Sequence, residues 1–226
     1  IVNERGIAPT DAEWDALRDA VAEALASPAP ERAQRDEPAP ERAQRDEGRP
    51  VLVISGSVPP GTPEDLLPSL IALGRAAGAT VIADTSGPAL LRAADAGADV
   101  LKPNAAELAE ATGILDPIDG ARELLRRGAS LILLSRGAEG MLAVSDSDTL
   151  SARLPEALAG NPTGAGDAAV SAAAVLLASG VRDPEAILRR ATAWSAAAVL
   201  MPLAGDIHPS WPELEAAVII ERTDTA

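Results

Sequence analysis

An α/β fold with a mostly parallel sheet and helices on both of its faces is predicted by three observations. Short strand-like segments at 51–54, 80–83, 99–101 and 131–134, apolar except for Thr80 and Asp99, alternate with segments of helical period, the pattern of a parallel sheet covered on both sides. Polar clusters follow directly on these runs: Ser55-Gly56-Ser57, Asp84, Lys102 to Asn104, and Ser135 to Gly140. In open α/β sheets ligands bind beyond the carboxyl ends of the strands. The apolar residues are Ala, Leu, Val and Ile, with no Phe or Tyr and only Trp14, Trp194 and Trp211 as aromatics, which suits small-residue helices packed closely on β-branched strands.

Residues 1–5 read as a short strand. Thr10-Asp11 offers an N-cap, and Trp14, Leu17, Val21 and Leu25 recur at helical spacing. PAPERAQRDE then occurs at 28–37 and again, identical, at 38–47; ten residues is too short for a stacking repeat, and proline pairs with mixed charge predict a solvated, flexible insertion over 28–49. Val51–Ile54 reads as a strand buried on both faces. A helix from about Pro63 to Ala77 follows, then a buried strand at Thr80–Ala83 and a short helix at Pro88–Ala94. Asp99–Leu101 is the third strand, with Asn104 capping the next helix. A further helix near 118–127 leads into the strand Leu131–Leu134. A hairpin is expected at Met141–Val144 and Thr149–Arg153, and helices near 165–179, 184–200 and 210–217 complete the pattern. The 226 residues suit one α/β domain spanning 1–226.

The net charge of −15 argues against a nucleic-acid partner and against an anionic membrane surface. It leaves room for a small phosphorylated ligand, because helix N-termini hold phosphate through backbone N–H groups. Without cysteine there is no disulfide or thiolate site. IVNERG lacks the pattern of a secretory leader, the apolar stretch Ala168–Ala178 is too short to span a bilayer, and the sequence reads as soluble and cytoplasmic.

The strongest chemical signal is Asn161-Pro162-Thr163-Gly164-Ala165-Gly166-Asp167, followed by AAVSAAAV. Gly164 and Gly166 permit close backbone approach, and the helix that starts here aims free N–H groups and a positive dipole end at the loop. An Asp in the first turn is placed to take a proton from an attacking hydroxyl. The same residues also read as a plain turn with an N-terminal Asp. GAGDAA fits the dinucleotide pattern G-x-G-x-x-A, yet no buried strand directly precedes it, so that reading fails. A Walker A loop needs Gly-Lys-Ser/Thr, and the one lysine, Lys102, follows Leu101. Asn104 and Glu107 make a sound capping box, Gly137 and Gly140 a hairpin turn, and Asp84 a cap for the helix after its strand. His208, beside Pro209, reads as a loop histidine.

The Asn161–Asp167 segment with its small-residue helix resembles the carboxy-terminal signature of the phosphofructokinase B family, the ribokinase-like sugar kinases. SGSVPPG at 55–61, LKPNAAEL at 101–108 with its Asn-x-x-Glu element, and SRGAEG at 135–140 are similar to further family segments, in the family's order. IVNERG at 1–6 also fits, and the wording points to the 1-phosphofructokinase and tagatose-6-phosphate kinase branch. The resemblance implies a ribokinase-like three-layer α/β/α fold. It implies ATP and Mg²⁺ as cofactors, a sugar phosphate as substrate (fructose 1-phosphate first, tagatose 6-phosphate as an alternative), and these roles: Asp167 as base; Gly164, Ala165 and Gly166 as N–H donors to the transferring phosphate; Ser135, Gly137, Ala138, Glu139 and Gly140 lining the nucleotide, with Lys102 reaching its phosphates; and Asn104 and Glu107 helping place nucleotide phosphate and Mg²⁺, partly through water. It covers residue 1 to about 205. Family members carry amino-terminal strands and a β lid that would precede Ile1; their absence here would leave the alternative of a nucleotide-binding fragment without activity, and a homodimer would need a full-length chain to supply the lid.

Overall fold

The computed structural model describes residues 8–27 and 49–223; the expected strand at 1–5 and the repeat at 28–47 lie outside the described residues. Helix α1 (Asp11–Ala26) starts at Thr10, whose hydroxyl accepts from Glu13 N–H while the Glu13 carboxylate accepts from Thr10 N–H at 2.7 Å, a reciprocal cap. Its Trp14 is buried against Leu66 and Leu70 of α2 (Leu66–Ala76).

The remaining order is β1 (Val51–Ser55, before α2), β2 (Thr80–Asp84), α3 (Pro88–Asp95), β3 (Val100–Leu101), α4 (Ala105–Thr112), α5 (Pro117–Arg127), β4 (Leu131–Ser135), a 3₁₀ turn (Gly137–Glu139), β5 (Met141–Val144), β6 (Thr149–Arg153), α6 (Ala165–Ala178), α7 (Pro184–Val199), α8 (Trp211–Ala217) and β7 (Ile219–Thr223). The seven strands lie in sequence order. β1 to β4 pair in parallel and β4 to β7 antiparallel, so β5 and β7 run against the other strands.

Strand alternation divides the apolar residues between two cores. Val81, Ala83, Leu101, Ile132 and Leu134 face α2, α3, α4 and α5. Ile82, Val100, Leu131 and Leu133 face α6 and α7. The result is the three-layer α/β/α arrangement expected from the sequence. α8 is fastened to α7 by Trp194 and Trp211, packed edge to face at 5.8 Å, with the Arg190 guanidinium 4.8 Å over the Trp211 ring.

Three expectations are corrected. β1 is not buried on both faces: Val53 is 40 % exposed, because β1 ends the strand order and the described helices cover its other face more completely. Asp99 stands just before β3 and turns its carboxylate to the N–H of Val81 at 2.8 Å. The helix after β1 starts at Leu66 rather than Pro63, with Leu66 N–H donating back to the Pro63 carbonyl across a turn. β7 is an addition to the expected elements: the apolar run Ala216–Ile220 continues from α8 with no turn residue to separate a strand from the helix, and Ile219–Thr223 pairs with β6 over Thr149–Arg153. Among the described residues no helix is long and apolar enough to cross a membrane.

Candidate active site

Parallel register builds the floor of the site. Ser55 pairs with Asp84, and Ala83 pairs with Leu101, so the next residues, Asp84 and Lys102, leave neighbouring strands side by side. Residues in register in a sheet share a face. Ala83 and Leu101 point to the α3 side; Asp84 and Lys102 therefore point to the α6 side, beneath that helix's first turn. Their side chains form an ion pair with Nζ to Oδ1 at 3.3 Å, the lysine side chain only 6 % exposed. A Cβ on Gly166 would stand 3.2 Å from Lys102 Nζ, so the absence of a side chain there leaves the ammonium open to the helix N-terminus.

α6 supplies the roof. Gly164 is its N-cap, and Ala165 N–H donates to the Pro162 carbonyl at 3.2 Å. Among the described residues the N–H groups of Gly166 and Asp167 have no acceptor, which makes these two the open donors of the turn; Gly164 does not line the cavity below. Asp167 is exposed in that cavity, and its carboxylate accepts a long bond from the Ser55 hydroxyl at 3.5 Å.

The cavity is about 590 Å³. Asp84, Lys102, Asn104, Glu107, Ser135, Gly137, Ala138, Gly140, Ala165, Gly166 and Asp167 all line it, so most of the residues singled out in the sequence meet at one place. Glu139 lies instead on an adjoining shallow groove with Arg136, to which it is paired at 3.4 Å. Asn104 and Glu107 form the capping box of α4, each side chain accepting the other's N–H at 2.9 Å, so that reading and their place on the cavity coexist. Asn104 also bridges to Ser135 across the strand ends. Met141, Leu154, Leu158 and Val199 give the cavity an apolar wall, with Thr192 and Ser195 of α7.

Two groups stand out beyond the sequence reading. Asp84 does not cap α3, whose N-cap is Gly87; it belongs to the cavity floor. Burial pushes its carboxyl above the ordinary value, the Lys102 ammonium pulls it back, and the carboxylates of Glu107 and Asp167 push it up again. A raised carboxyl in the folded state binds protons that the unfolded chain has already lost. Asp84's contribution to stability is therefore present below the unfolded carboxylate value of about 3.9 and is lost as pH rises through the folded value. Relative to the wild type, Asp84→Asn is expected to gain melting temperature as pH rises across that window; a difference constant with pH would contradict it. The second group is the α7 set Thr192, Ser195 and Val199, which a helical core pattern conceals. Among the described residues no cluster of three or more His, Cys, Asp or Glu could hold a metal ion by itself.

An exposed carboxylate, two open N–H groups and a buried ammonium around one cavity can accept a proton and stabilise a transferring anion together. The model of the pfkB family carbohydrate kinases matches residues 18–211. The chain is 42% identical over 160 residues to a 1-phosphofructokinase of Xanthomonas campestris, covering 66% of this chain and 49% of that protein. It is 32% identical over 229 residues to a 1-phosphofructokinase of Rhodobacter capsulatus, covering 99% and 64%. Phosphofructokinase-2 from Escherichia coli superposes with a TM-score of 0.77 at 27% identity, covering 95% of this chain and 64% of that one. The chain thus spans between about half and two thirds of the length of these relatives.

Proposed function

This chain belongs to the pfkB family of carbohydrate kinases, and on that footing we propose that it carries the nucleotide site and the proton acceptor of a phosphotransferase whose substrate is a sugar phosphate. In this reading Mg·ATP gives its γ-phosphoryl group to a hydroxyl of fructose 1-phosphate, forming fructose 1,6-bisphosphate and ADP. The hydroxyl oxygen bonds to the γ-phosphorus, the bond from phosphorus to the ADP oxygen breaks, and the hydroxyl proton passes to Asp167. The observation that carries the proposal is the juxtaposition of Asp167 with the open N–H groups of α6 and the Lys102 ammonium on one cavity. Phosphoryl transfer asks for little more than positioning, charge stabilisation and a base. The choice of sugar is supported by the names of the Xanthomonas and Rhodobacter relatives.

The 135–140 loop and the apolar wall suit the base and sugar of a nucleotide, with its phosphates directed to Lys102 and Gly166. The donor set fits magnesium held mostly by phosphate oxygens and water. Asn104 Oδ1 and Glu107 Oε2 are engaged in the cap, which leaves the second carboxylate oxygen of Glu107 for an outer contact. Bound there, the ion would neutralise phosphate charge.

Calorimetric titration with a non-hydrolysable Mg·ATP analogue tests the nucleotide site. Saturable binding is expected, kept in Asp167→Asn and lost in Gly137→Val, because Gly137 sits at φ +58, where a β-branched residue is strongly disfavoured. Failure of the folded chain to bind would overturn the proposal.

A further inference from the structure

The molecule's single lysine lies buried on the floor of the site, in a protein whose other basic side chains are arginines and one histidine. We propose that Asp84 is a positioning residue that tethers the Lys102 ammonium beneath Gly166, aimed at the phosphoryl group; this rests on the nucleotide reading above.

A lysine side chain has four rotatable methylenes and about 2 kcal/mol of rotamer entropy, so a buried ammonium keeps one direction only if something fixes it. Among the described residues its ion-pair partner is Asp84. Asp84 is itself fixed: it closes β2 in register with Ser55, and its side chain is 17 % exposed. Two of the other carboxylates on the cavity, Glu107 and Asp167, compete for the ammonium. Drawn to Asp167, it would occupy the proton acceptor; drawn to Glu107, it would leave the α6 N-terminus. Held by Asp84, it directs its remaining N–H donors past Gly166, where no side chain intervenes.

A positioning role acts through Lys102 and must vanish without it, which a double-mutant cycle reads directly. Mg·ADP and the Mg·ATP analogue are titrated calorimetrically into the wild type, Asp84→Asn, Lys102→Met and the double variant, with circular dichroism as the check on folding. Asp84→Asn is expected to weaken binding of the triphosphate about tenfold, and to have no further effect once Lys102→Met is present. An equal loss in both backgrounds would mean that Asp84 acts on the ligand or its metal independently, and the tether would be wrong; no loss in the single variant would overturn it equally. A second measurement does not depend on nucleotide. Acetylation of Lys102 by acetic anhydride, followed at that one site by mass spectrometry, is expected to change several-fold in rate on Asp84→Asn. An unchanged rate would refute the tether. A changed rate on Asp84→Asn, together with a folded wild type that binds no nucleotide, would keep the tether and reject the nucleotide reading.

Discussion

Under the proposed function, Asp167→Asn is expected to lower the rate of phosphoryl transfer to the sugar phosphate by about 10²–10⁴, the weight of a general base, while the affinity for Mg·ATP stays close to that of the wild type. The two halves of this result have separate causes. Asparagine keeps the size and the first-turn position of the side chain, so the N–H groups of Gly166 and Asp167's own position, open in the helix turn, still meet a phosphate. What disappears is the ability to take a proton. The substitution also removes one of four carboxylates around the cavity, a change that cannot repel an anionic ligand. Turnover is measured with Mg·ATP and fructose 1-phosphate, and binding by calorimetry. Turnover within a few-fold of the wild type would remove Asp167 from the mechanism; a parallel collapse of affinity would make it a binding residue instead.

Gly140→Ala is expected to cost roughly 4 kcal/mol of stability, at the upper end for a single substitution. Gly140 sits at φ 89 and ψ −139, a region open essentially to glycine alone. A Cβ there would also collide with the Ala152 carbonyl oxygen and press on the Arg153 backbone of β6. Neither obstacle is a flexible side chain, so relief must come from separating β5 from β6 just where the 135–140 loop is anchored by Arg136 N–H to the Gly140 carbonyl. Gly137→Ala is the control: its φ of +58 is left-handed, but the space around it is open, and a cost of about 1 kcal/mol is expected. Urea unfolding of the three proteins gives the comparison. Equal stabilities for the two variants would show that backbone collision is not what keeps residue 140 a glycine.

The fold was legible in the sequence wherever a strand is buried in parallel pairing, because such strands leave unbroken apolar runs. It was illegible at β7, where Ile219 and Ile220 become a strand only by adding to the free edge of β6, and at Val53, whose exposure depends on position in the sheet rather than on residue type. Much the same division holds for the site. The loops at 135–140 and 161–167 carry local signatures. Asp84 does not, since an aspartate after a strand reads equally as a helix cap; its meaning lies in a register across eighteen residues that sets it beside Lys102. Thr192 and Ser195 were hidden for a related reason. They share α7 with core residues such as Leu188 and Ala191, and only the packed position of that helix turns part of it toward the cavity.

The scarcity of aromatic rings gives the protein an optical simplicity. With no tyrosine or phenylalanine, ultraviolet emission arises from tryptophan alone. Trp14 reports on the seam between α1 and α2, and the Trp194–Trp211 pair on the seam between α7 and α8. Trp194 adjoins Ser195, which lines the cavity. Light from this pair therefore carries information about the same helix that walls the cavity, without any label being added.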